Sequence, residues 1–387
     1  MNQLVKPFAT VAFVTAFSFF TTVNNPSPEV DVPAKPAASK IQVAILLDVS
    51  GSMSGLIEQA KAQLWNMVTT LGKAECTDKT TPKIELALYE YGRTNNDKGR
   101  GYVKILSPFT NDLDEVSKIL FSLKTDGGDE YCGQVIYTSI DELKWDSDPG
   151  NYKVIFIAGN EDFLQGDLHY TKACNRAREK GVIVNTIYCG DYQRGIAEHW
   201  NLAGECGNGS FMNINHNASD NDIPTPYDST LLTLNMKLNA TYIGYGTLGS
   251  SNTLRQTQVD AMNFKTNTKV AAKRIEAKSQ SKIYDNSSWD LVDATRADSL
   301  YYMKVDKKTL PDSLRNKTTD QLKQYVKMKT QEREAIQQQI AAASVNRTNY
   351  ITEQKTKAAA DAKEATLESA VEKIIKEQVQ RFNMKIN

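Results

Sequence analysis

Residues 46–55 read LLDVSGSMSG, and Asp48, Ser50 and Ser52 fall on alternate positions within it. Alternate residues of an extended segment point to one side, so this D-x-S-x-S offers one carboxylate and two hydroxyls together. A hard divalent cation takes oxygen ligands of this kind in near-octahedral geometry. Gly51 and Gly55 let the segment turn tightly into the helical pattern after it. Two further polar stretches accompany it: TDGGDE, ending in Asp129 and Glu130, and AGNED, which holds Asn160 and Glu161.

Other chemistries find little support. A G-x-S-x-G nucleophile turn would put Met53 where the serine should stand. There is no phosphate-cradling or dinucleotide glycine motif. No C-x-x-C occurs, and His169, His199 and His216 lie far apart, which argues against a zinc site of common spacing. The Asp129–Glu130 pair reads as a metal ligand beside a solvated residue rather than as acid and base. The expectation is therefore a protein that is not an enzyme.

The elements that must carry these residues alternate. IQVAILLD is an apolar strand that ends in Asp48, and residues 54–72 repeat apolar side chains at helical spacing until Gly72. A strand is expected at 83–92, helices at 111–123 and 134–145, and a second fully apolar strand at 152–160. A helix at 167–181 and a third apolar strand at 182–190 complete the series. Apolar strands alternating with amphipathic helices give a doubly wound, Rossmann-like parallel sheet with helices on both faces. Ligands of such sheets bind beyond the carboxyl ends of the strands. Asp48, the Gly127–Asp129 loop and Asn160–Glu161 all fall at that edge.

The rest of the chain divides by composition. Lys6 and the uncharged residues 8–23 have the layout of a signal peptide, or of an uncleaved N-terminal anchor. Residues 24–40, with four prolines, read as a linker. Residues 41–218 form the α/β domain, 219–310 a mainly helical extension, and 311–387 long charged helices that pair as a coiled coil or fold back as a solvated helix. The 46 basic and 46 acidic residues cancel, which argues against a nucleic-acid footprint. Export would allow some of Cys76, Cys132, Cys174, Cys189 and Cys206 to pair, with the odd count leaving one free.

LLDVSGSMSG, the strand–helix series and ACNRAREKGVIVNTIYCG together resemble a von Willebrand factor type A (VWA) domain over roughly residues 41–217. The resemblance implies a metal-ion-dependent adhesion site with Asp48, Ser50 and Ser52 as first-loop ligands. The family's second-loop threonine is matched by Asp129 and its third-loop aspartate by Asn160, with Glu161 the nearest charged substitute. Both departures together keep two carboxylates, Asp48 and Asp129, and so keep the charge sum. The cofactor implied is a divalent cation, Mg²⁺ first, with Mn²⁺ or Ca²⁺ as alternatives. The partner implied is a protein whose acidic side chain completes the metal shell.

The expected function is an exported, cation-dependent protein-binding module acting outside the cytoplasm, in periplasm, envelope or medium. The alternative is a structural envelope protein that self-associates through its C-terminal helices and keeps a vestigial site. A membrane contact is expected only if the N-terminal segment is retained.

Overall fold

The computed structural model describes residues 39–215, 223–357 and 367–386. The apolar run at 8–23, the linker up to residue 38 and the boundary placed at 218 lie outside these residues.

The α/β series runs β1 (Lys40–Asp48), α1 (Ser54–Gly72), a short β2 (Ala74–Cys76), β3 (Lys83–Tyr91), β4 (Lys104–Thr110), α2 (Leu113–Ser122) and α3 (Cys132–Glu142). It continues with β5 (Tyr152–Gly159), α4 (Tyr170–Glu179), β6 (Ile183–Cys189), α5 (Tyr192–Ala197), α6 (Trp200–Cys206) and β7 (Phe211–Ile214). Six strands form one sheet in the order β4-β3-β1-β5-β6-β7. β1 pairs in parallel with both β3 and β5. The chain leaves β1 toward β3 on one side and returns to its other side as β5, so the strand order reverses at β1. That is where open α/β sheets form their binding crevice.

The apolar runs follow from burial on both faces. Ile41, Val43 and Leu47 pack toward α1 and α2, while Ala44 and Leu46 pack toward α3 and α4. Asp48 continues the second of these rows.

The parallel sheet expected from sequence needs one correction. Its edge strand β4 is antiparallel to β3, with register shifts near Leu88. Pro108 interrupts the apolar pattern of β4, and a proline is tolerated in a sheet at such an edge.

Past residue 222 come α7 (Asp228–Asn239), α8 (Gly249–Thr266), α9 (Thr268–Lys278), α10 (Leu291–Ala297), α11 (Tyr301–Lys304), α12 (Asp312–Arg315) and α13 (Thr319–Lys357). The last described elements are α14 (Leu367–Gln378) and β8 (Met384–Ile386). The extension is locked to the α/β layer by buried charge. Arg274 of α9 donates to Asp114 of α2 (2.8 Å) and to Asp260 (2.5 Å), with its guanidinium over the Trp65 ring of α1.

Among the described residues the two C-terminal helices pack mainly on other elements. α13 lies along α7 and α9–α11, and its buried stripe of Leu322, Val326, Ile340 and Ala343 includes Arg333. Arg333 donates to Asp290 (2.6 Å) and Asp293 (2.8 Å), and stacks on Tyr242. α14 packs on α1, and Ala370, Ile374, Ile375 and Val379 join the core that holds Ile41 and Val43. β8 pairs with β2. Among the described residues this packing is of the folded-back kind that the sequence left open beside a coiled coil. The reason is that the apolar stripe of α14 covers a sheet face. Burying each Ile or Val there contributes roughly 1.5–3 kcal/mol.

All five cysteines are free thiols, and four of them are buried.

Candidate metal centre

Three loops meet at the carboxyl edge of β1, β3 and β5. The first leaves β1 at Asp48, where Val49 N–H donates to Tyr91 O and holds the loop against β3. Ser50 N–H donates to Asp48 Oδ1 at 2.7 Å. A single tight turn, Gly51–Met53, then feeds α1. The second loop is pinned by Asp126 N–H to Val49 O (2.9 Å) and Thr94 N–H to Gly127 O (2.7 Å). The third comes directly after β5.

The side chains gather as a ring of oxygens. Ser50 Oγ and Ser52 Oγ lie 3.3 Å apart, and Ser52 Oγ donates to Asn160 Oδ1 at 3.3 Å. Asp48 is fully buried, and its Oδ2 has no hydrogen-bond partner. A buried carboxylate oxygen left alone costs free energy unless something cationic meets it. Gly159 lets β5 approach it: a Cβ there would lie 3.1 Å from Asp48 Oδ2 and 2.5 Å from the Tyr91 hydroxyl. Tyr91 closes the floor by donating to Ala158 O (3.1 Å).

Asp129 does not join this ring. It is exposed and accepts from the Tyr131 hydroxyl at 3.4 Å. Its neighbour Glu130 turns inward instead and is 7% exposed. Consecutive side chains of an extended segment point to opposite sides, so only one of the pair can enter. Glu130 and Cys132, the first residue of α3, are both buried, while Asp129 is exposed. Glu161 lies nearby, its Oε2 accepting from Gln165, whose own Oε1 accepts from the Glu130 N–H.

Burial drives the electrostatics. It pushes the Asp48 carboxyl up to about 7, against the pull of the Ser50 N–H, with Glu161 adding repulsion. Burial likewise pushes Glu130 up to about 8, helped by the charges of Asp48 and Glu161. Two buried carboxyls, one raised by the charge of Glu161 and the other by those of Asp48 and Glu161, form a site that favours taking up a proton or a cation. Beneath them burial pushes the Cys132 and Cys189 thiols well above their usual range, so both stay neutral.

Among the described residues no three carboxylates, imidazoles or thiols close around one point as a metal cluster. A cation here would therefore draw on hydroxyl and amide oxygens as well as carboxylate. Asp48 Oδ2, Ser50 Oγ, Ser52 Oγ, Asn160 Oδ1 and Glu130 supply that set, which suits Mg²⁺ better than a soft metal.

A mostly parallel six-stranded sheet with one antiparallel edge, helices on both faces and D-x-S-x-S closing its first strand is the von Willebrand factor type A fold. No family model matches the chain, and no curated protein is similar to it in sequence. Among solved structures it is similar to an aerotolerance-related membrane protein from Bacteroides fragilis: 16% identity, 46% of this chain, 93% of that one, TM-score 0.32. It is similar to the conserved hypothetical protein BatB from Bacteroides thetaiotaomicron: 14% identity, 57% of this chain, 99% of that one, TM-score 0.35. A third is proximal thread matrix protein 1 from mussel byssus, with a zinc-occupied MIDAS motif: 11% identity, 46% of this chain, 41% of that one, TM-score 0.35. At this distance no residue-level inference passes from them to this chain.

Proposed function

We propose that this protein is a divalent-cation-dependent protein-binding module, and that the cation sits among Asp48, Ser50, Ser52, Glu130 and Asn160. The observation that carries the reading is the unpartnered Oδ2 of fully buried Asp48, set beside two hydroxyls, an amide oxygen and a second carboxylate at the sheet's reversal point. These residues leave one side of the site facing solvent through Ser52. An acidic side chain from a partner protein completes the shell there. Mg²⁺ fits the oxygen set first, with Mn²⁺ and Ca²⁺ as competitors. The role assigned to residues 1–23 is export, so the binding takes place outside the cytoplasm.

Calorimetric titration with Mg²⁺ and Mn²⁺ tests the site. Wild type binds, and Asp48→Ala does not, while its circular dichroism stays that of the folded chain. Equal binding by both removes the assignment. Capture of a partner from an envelope extract that survives EDTA removes the cation dependence.

A further inference from the structure

At the opposite, amino-terminal edge of the sheet lies an open cavity of 460 Å³ lined by Lys153, Arg178, Lys180 and Arg381. Glu179 is the lone carboxylate in its wall, and it is engaged with Arg176 at 2.8 Å. The chain as a whole carries a formal net charge of zero, so four cations in one wall are a local excess.

Three of these cations are exposed, but Lys153 is not: on β5 it is only 3% exposed. Its ammonium donates to the backbone carbonyl of Asp146 at 2.8 Å. The carboxylate of Asp146 is taken by Lys40 at 2.9 Å. An ammonium has three donors, and this bond uses one. Nothing bulky stands over it: Gly181, with φ +65°, has no Cβ, and one built there would come within 3.5 Å of the Lys153 Nζ. Asp146 and Asp148 act on this ammonium only through space, with no direct ion pair, so an anion in the cavity would offset the cost of burying it. Arg381 comes from the segment after α14 and is steered by its bond to Asn208 O (3.0 Å). The cavity thus joins the sheet edge to the chain's last described residues.

We propose that this cavity is an anion site for a phosphate-class group, either a free phosphate or a phosphorylated lipid headgroup, with Lys153 as its buried anchor. Arg178 and Arg381 offer the planar donor forks that suit phosphate oxygens, and Lys180 adds a point charge. This site is separate from the metal centre and does not rest on that reading.

The test uses the full chain with EDTA present, so that the metal centre plays no part. Inorganic phosphate is titrated calorimetrically against chloride at matched ionic strength, and vesicles of phosphatidylglycerol are compared with phosphatidylcholine. Saturable phosphate binding, weakened at least tenfold in Lys153→Met, supports the site with a free anion as ligand. Binding to the anionic vesicles alone, lost in the same variant, supports it with a headgroup as ligand. Should Lys153→Met fold poorly, Arg381→Gln and Lys180→Gln, both exposed, each weaken binding several-fold. Equal effects of phosphate and chloride, or binding that Arg381→Gln and Lys180→Gln leave unchanged, overturn the proposal.

Discussion

Asp48 and Glu130 face each other across Gly92, whose φ is +79°: a Cβ on that glycine would lie 2.9 Å from Asp48 Oδ1 and 2.9 Å from Glu130 Cγ. The residue after β3 thus leaves room for two carboxylates to share one space. This relationship, rather than motif position, is what supports Glu130 as the second-loop ligand of the proposed site.

The two acids of the second loop should therefore behave differently. Glu130→Gln should weaken Mg²⁺ binding by tenfold or more, about 1.4 kcal/mol. Asp129→Asn should change it by less than threefold, because Asp129 is exposed and turned toward Tyr131. Calorimetry of both variants decides. A larger loss in Asp129→Asn would return the ligand role to the residue that the family resemblance picks.

Gly92→Ala tests the shared space. A non-glycine residue at this φ costs roughly 1–2 kcal/mol, and the clash with both carboxylates adds to it. Urea unfolding should show a loss of about 1–3 kcal/mol, with weaker cation binding. Gly127→Ala is the control, since a Cβ there meets nothing within 4 Å. It should stay within about 0.5 kcal/mol of wild type. Matching losses in the two variants would mean the space matters no more than any loop glycine.

The pH dependence comes from the raised carboxyls. Folded Asp48 and Glu130 titrate near about 7 and about 8, against ordinary values of 3.8 and 4.5. Both raised carboxyls hold protons in the folded state that the unfolded chain has released. Where the folded state binds more protons, stability falls as pH rises, so this contribution is present below about pH 4 and lost progressively up to about pH 8. A divalent cation bound at the proposed site would replace the protons. Mg²⁺ should therefore raise the melting temperature more at about pH 8 than at about pH 5.5, and Glu130→Gln should flatten the difference. An equal Mg²⁺ shift at both pH values in wild type counts against the pairing.

What the sequence made legible is what backbone periodicity controls. The β1 strand, its end at Asp48 and the alternate placement of Ser50 and Ser52 follow from apolar spacing and a period of two. Asn160 is legible as the residue just past the second buried strand. Glu130 escapes a reading by motif position, which picks Asp129. β4 escapes because Pro108 breaks its pattern. The anchors Arg274 and Arg333 are out of reach for a different reason. Arg274 meets Asp114 across 160 positions, and Arg333 meets Asp290 across 43. A charge paired over such a distance reads locally as a solvated residue.

Arg333 gives a stability prediction of its own. It is buried between Asp290 and Asp293, and Asp290 is fully buried. Removing one partner of a buried ion pair leaves an uncompensated charge and costs about 3–5 kcal/mol. Arg333→Met should lower the urea midpoint accordingly. A change below about 1 kcal/mol would mean the α13 anchor behaves like a surface pair.

The last prediction concerns how the site keeps its charge. Asn160 stands where the resemblance places an aspartate, and its Oδ1 takes the Ser52 hydroxyl. With that position neutral, Asp48 and Glu130 carry the negative charge nearest the hydroxyls, and a single carboxylate holds a hard dication poorly. Glu130→Thr therefore leaves one carboxylate in the ring and should cost tenfold or more in Mg²⁺ affinity, about 1.4 kcal/mol. Adding Asn160→Asp restores the sum of two, with the second charge moved from the second loop to the third. The new carboxylate occupies the place of the amide that Ser52 already meets, so no new backbone geometry is required. Affinity should return to within a few-fold of wild type, although Asn160→Asp alone adds a third charge and raises the proton competition. Metal titrations of the wild type, both single variants and the double variant form the cycle. If the double variant binds no better than Glu130→Thr, charge sum is not what the ring conserves, and Glu161 becomes the third-loop ligand to test next.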